Sequence, residues 1–99
     1  MITSKQRSYL KSLAHELNPT VYIGKAGLTD NILKEMENGF ETRELVKVKI
    51  QEGCDADPKE MANGVAEKLN AEFVQAIGRR FTLYRQAKNK ENRKIELPR

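Results

Sequence analysis

The sequence predicts an α/β domain with the element order α-β-α-β-α-β-β, a four-stranded mixed sheet, and helices packed mainly on one face. Three observations carry this expectation. Helically spaced and alternating apolar runs succeed one another along the 99 residues, which implies crossover connections between strands. The segment ELVKVKIQ, residues 44–51, alternates strictly, so its strand has one covered and one wet side. The last two such runs, EFVQAIG and RFTLYRQ, meet tightly around Gly78-Arg79-Arg80, the pattern of an antiparallel hairpin.

The first helix is expected over residues 3–17. Thr3 can cap it, with Gln6 three residues later completing a capping box. Leu10, Leu13, Ala14 and Leu17 make a buried stripe, and Lys11 and His15 lie four apart on another face. Asn18-Pro19 ends it, because the residue before proline avoids helical geometry. TVYI then reads as a short strand, followed by the glycine loop IGKAGLT. A second helix runs from about Thr29 to Thr42, with Thr29 as its cap and Asp30 suited to the positive helix end. Ile32, Leu33, Met36 and Phe40 face inward there, while Glu35, Glu37 and Glu41 face water. In the second strand Val46, Val48 and Ile50 point one way, Lys47 and Lys49 the other.

After the turn EGCDAD, Asp57-Pro58-Lys59-Glu60 opens a third helix with an acidic cap, proline at the first helical position, and glutamate three residues past the cap. Met61, Val65, Ala66 and Leu69 form its buried stripe. The domain is expected to occupy residues 1–86. Residues 87–99 read as a basic, polar and mobile tail in which Ile95–Pro98 can dock as a short extended piece. Strand order does not follow from the pattern.

Composition bounds the function. The chain is 38% hydrophobic, which suits one modest globular core. No apolar run is long enough for a membrane span, and MITSKQRSYL has no export-type apolar stretch. Cys54 and His15 are single, so no disulfide, metal cluster or cofactor is expected, and a cytoplasmic setting is favoured. The net charge of +4 is segregated: residues 1–25 carry +3, residues 26–78 carry −5, and residues 79–99 carry +6. Such separation often marks a polyanion-binding surface, although a soluble protein with a basic tail would also show it.

Gly24-Lys25-Ala26-Gly27 sits between a strand and a helix. Glycine allows a sharp turn and close approach of a ligand. Free amides at the helix start favour an anion, and Lys25 adds a mobile charge. Neither the phosphate-binding loop of nucleotide hydrolases nor the three-glycine dinucleotide fingerprint is present. A tight turn with an exposed lysine remains the alternative. Lys47 and Lys49 on one strand face, Arg79 and Arg80 at the hairpin, Arg85 beyond it, and Lys5, Arg7 and Lys11 on the first helix are the other candidate phosphate contacts. Each also has an ordinary reading as solvated charge. Tyr22 and Tyr84 read as packing residues before stacking ones. His15 lacks a titrating partner for catalysis, and Cys54 reads as incidental.

The run LKSLAHELNPTVYIGKAGLTDNILKEMENGFETRELVKVKI, with IGRRFTLYR and the closing RKIELPR, resembles the CRM domain in its free-standing bacterial, YhbY-type form. The resemblance spans nearly the whole chain and is weakest over residues 51–72. It implies a fold similar to the C-terminal domain of translation initiation factor three, RNA binding, and association with precursors of the large ribosomal subunit. The family's glycine loop matches Gly24, Lys25, Ala26 and Gly27, and its basic residue after the hairpin glycine matches Arg79. The expectation is thus a non-enzymatic, monomeric, cytoplasmic protein that contacts ribosomal RNA phosphates without reading sequence, with no small-molecule substrate and no membrane partner. A protein-interaction adaptor docking through the acidic second and third helices is the alternative.

Overall fold

The computed structural model describes residues 2–99. Helix α1 spans Ser4–His15, strand β1 Val21–Ile23, α2 Asp30–Arg43, β2 Leu45–Ile50, α3 Pro58–Leu69, β3 Glu72–Ile77 and β4 Arg80–Tyr84, and a 3-10 turn follows at Lys90–Asn92. The local start signals act as expected. Thr3 and Gln6 form the reciprocal capping box of α1, Thr29 Oγ1 accepts the Ile32 amide, and Asp57 caps α3 ahead of Pro58. The Asp57 carboxylate accepts from the Lys59 amide.

The four strands lie in the order β1-β2-β4-β3. Strand β1 runs parallel to β2, while β4 is antiparallel to both β2 and β3. The strict alternation of β2 decides what each face holds. Val46, Val48 and Ile50 join Val21, Ile23, Phe81 and Leu83 under α2 and α3, with Met36, Phe40, Val65 and Leu69 completing that core. Leu45 points the other way, into a second cluster with Tyr84, Val74 and the α1 residues Leu10 and Ala14. Helix α1 therefore packs on the opposite face from α2 and α3 and covers part of it. A register shift between Phe73 and Gln75 lets Val74 join this second cluster.

The basic segment after β4 departs from the expected mobile tail. Ala87 is fully buried, and Ile95 and Leu97 pack on the second cluster. Glu44 holds the segment. Its carboxylate, fully buried, accepts the amides of Ala87 at 2.9 Å, Lys94 at 2.7 Å and Ile95 at 3.0 Å. Glu44 sits at the α2–β2 junction with φ +67°, and its own carbonyl accepts the Arg85 amide. A buried carboxylate needs such donors to offset desolvation.

Candidate nucleic-acid interface

The glycine loop begins where β1 ends. The Gly27 amide donates to the Gly24 carbonyl at 3.0 Å, closing a four-residue turn with Lys25 and Ala26 exposed at its apex. Gly27 has φ +73°, which a side chain would strain. The aliphatic stem of Lys25 lies above the neighbouring turn, since a Cβ on Gly53 would sit 3.8 Å from Lys25 Cγ. The start of α2 is less open than the sequence implies. Thr29 already caps it, and Asp30 occupies its first turn. The chain thus supplies its own partner and its own negative charge to the helix end, so Lys25 carries most of the loop's attraction for an anion.

Arg79 is committed inward. Its guanidinium donates to the carbonyls of Ile50, Gln51 and Cys54 at 3.1, 3.1 and 2.6 Å. It braces the 50–54 turn on which Lys25 rests, so its hydrogen bonds support the loop while the residue stays exposed. Cys54, read as incidental, is buried in the main core.

Lys47 is likewise occupied. Its ammonium donates to the carbonyls of Ala14 and Leu17, at 3.1 and 3.2 Å, and answers the open end of α1. Arg85 is a clear correction to the expected set of phosphate contacts. It lies on the α2–α3 side, pairs with Glu41 at 2.8 Å and Glu37 at 3.5 Å, donates to the Leu69 carbonyl, and stacks 5.1 Å above Phe40. Strand alternation dictates this, because Tyr84 faces the second cluster and its neighbour must face the first. Lys5 donates to the Arg99 carbonyl at 3.2 Å, and Arg7 to that of Phe73 at 3.1 Å.

Four candidates remain: Lys11, Lys25, Lys49 and Arg80, none of which spends its charge on a protein partner among the described residues. Lys49 and Arg80 are direct cross-strand partners. Tyr22 pairs with Lys49 on one side, and Ile77 with Arg80 on the other. The four side chains therefore form one row across all four strands, Tyr22–Lys49–Arg80–Ile77, on the face that α1 leaves uncovered. Tyr22 is 50% exposed and Ile77 62%. Beside this row lies a depression of about 190 Å³ lined by His15, Lys47, Gln75, Ile77, Arg80 and Thr82. Arg7, Lys11 and His15 repeat every four residues along one side of α1, which carries Lys11 towards the same region.

Reasoning from sequence passed over Tyr22, His15 and Ile77 as site members. Alternation within TVYI already turns Tyr22 away from Val21 and Ile23, but only the β1–β2 register seats it beside Lys49.

Four similarities bear on this surface. A family model for the CRS1 / YhbY (CRM) domain matches residues 2–85. The chain is 39% identical over 98 residues to the "Probable RNA-binding protein YqeI" of Bacillus subtilis, covering 99% of this chain and 100% of that one. It is 42% identical over 99 residues to an "RNA-binding protein" of Haemophilus influenzae, covering 99% and 96%. The solution structure of the hypothetical protein SAV1595 from Staphylococcus aureus superposes with a TM-score of 0.79 at 42% identity, over 99% of this chain and 100% of that one.

Proposed function

The chain belongs to the CRS1 / YhbY (CRM) domain family, and from that premise we propose that it is a non-enzymatic RNA-binding protein that grips phosphates with Lys25 on its Gly24–Gly27 loop and with Lys49, Arg80 and Lys11 nearby. The observation that carries this reading is the division of the basic residues. Lys47, Arg79 and Arg85 are engaged with internal carbonyls and carboxylates, while Lys25, Lys49 and Arg80 have no protein partner among the described residues, on one end and one face. Such contacts hold the nucleic-acid backbone and leave sequence unread. The resemblance to stand-alone bacterial CRM proteins supports ribosomal RNA of a large-subunit precursor as the target, met in the cytoplasm by a monomer.

Binding should weaken steeply with salt. With four phosphates engaged on a single strand, the log–log slope is about −2.8, and Lys25→Glu should flatten it by about 0.7 or more while weakening many RNA sequences alike. A salt-independent affinity would sink the phosphate grip. Gradient sedimentation of lysates at low salt tests the target: the wild-type protein should travel with a large-subunit precursor and Lys25→Glu should stay at the top. Co-migration that survives RNase digestion would favour the adaptor reading instead.

A further inference from the structure

The uncovered sheet face carries exposed apolar side chains that phosphate gripping does not explain. Lys49 and Arg80 oppose each other across the β2–β4 ladder, and their flanking partners in the row, Tyr22 and Ile77, carry no acid to offset them. Like charges in direct cross-strand register are destabilising. The same row holds the two most exposed large apolar side chains among the described residues, Tyr22 and Ile77. A pair of uncompensated cations between an open aromatic ring and an open aliphatic edge matches the alternating charge and flat base of a nucleotide chain. None of the six residues lining the adjoining depression is acidic.

Shape decides which form of RNA fits. Helix α1 stands on the Leu45–Val74–Tyr84 part of the same face, forming a wall on the order of 10 Å high beside the row. A rigid duplex cannot lower its bases past such a wall, and its bases are already stacked on each other. A flexible strand can lie along the foot of it. Three strand spacings of about 4.8 Å separate Tyr22 from Ile77, room for the two or three bases that a four-stranded sheet commonly stacks.

We propose that this face is a stacking platform for a short unpaired RNA segment: one base lies on Tyr22, the phosphates that follow meet Lys49 and Arg80, and the next base enters the depression beside His15. The inference rests on the RNA-binding reading above and adds to it the preference for unpaired nucleotides and the face that imposes it.

The test compares a 2-aminopurine-labelled single-stranded RNA hexamer with a duplex of the same sequence, bound to the wild-type protein, Tyr22→Ala, Tyr22→Phe and Lys25→Glu. The wild type should prefer the single strand and quench the probe. Tyr22→Ala should lose about 5- to 150-fold in single-strand affinity, the range of one base–aromatic stack, with its salt slope unchanged. Tyr22→Phe, which keeps the ring, should stay within about twofold, and neither change should alter duplex binding. The ring is half exposed, and the Phe variant separates lost stacking from lost folding. Equal losses in the Ala and Phe variants, no loss in either, or a wild-type preference for duplex would overturn the platform while leaving phosphate gripping intact. Failure of the wild type to bind either RNA would remove both readings.

Discussion

Replacing Glu44 by Ala removes the acceptor that holds the Ala87, Lys94 and Ile95 amides of the C-terminal segment at the α2–β2 junction. The carboxylate accepts three amides at 2.7 to 3.0 Å, and one of them, that of Ala87, is fully buried. Hydrogen bonds to a charged group contribute about 1.5 kcal/mol or more each, so three give roughly 4.5 kcal/mol. Part is returned, because the variant no longer buries a charge. The expected net loss is about 3 kcal/mol, or roughly 12–24 °C in Tm for a domain of this size. Thermal unfolding followed by circular dichroism measures it, and amide exchange localises it: Lys94 and Ile95 should lose protection before the β2 and β4 amides do. Alanine keeps the strained positive φ of +67°, whereas Glu44→Gly relieves it, so Gly should recover about 1 kcal/mol relative to Ala. A Tm drop under about 4 °C in Glu44→Ala, or unchanged protection at Lys94 and Ile95, would refute this account of the C-terminal segment.

Two helical glycines should respond in opposite directions. A Cβ on Gly39 would meet Val46 Cγ2 at 2.9 Å, so Gly39→Ala pushes α2 off β2 and should destabilise by about 1–2 kcal/mol in urea unfolding. Gly64 on α3 faces open space, so Gly64→Ala should stabilise by about 0.5–1 kcal/mol. The Lys88 amide donating to the Glu41 carboxylate, with Arg85 beside it, outweighs desolvation and holds the Glu41 pKa below its ordinary 4.5. Its contribution is present above that value and is lost as pH falls through the depressed one. The stability gap between wild type and Glu41→Gln should therefore close on acidification from about 4.5. Burial, and then the charge of Glu44, push the Tyr84 phenol above its ordinary 10.0 against a smaller pull from Arg93. Tyr84→Phe should remove the phase that ionises above the ordinary value from an absorbance titration, and should flatten the loss of stability on the alkaline side.

Much of the fold is written locally. Thr3 with Gln6, Thr29, and Asp57 with Pro58 start their helices because a cap involves only the three or four residues beside it. The alternation of Val46, Lys47, Val48, Lys49 and Ile50 sorts β2 into two faces because the pleat has a period of two residues. The glycine turn is legible in the same way, since glycine readily takes the positive φ that Gly27 adopts. From the residues alone, therefore, the chain declares its elements, its main core and its loop.

The interface itself is a matter of register. Lys47 and Lys49 are the same residue type two positions apart, yet one ammonium lies under the carbonyls ending α1 and the other pairs across the ladder with Tyr22. Arg79 and Arg80 are adjacent, yet one braces the 50–54 turn and the other faces the open sheet. Glu44 reaches amides more than forty residues away and carries no local signal of that task. Which charges are spent internally and which remain for a ligand depends on groups distant in sequence, and only the packing of α1 and the pairing order β1-β2-β4-β3 bring those groups within reach.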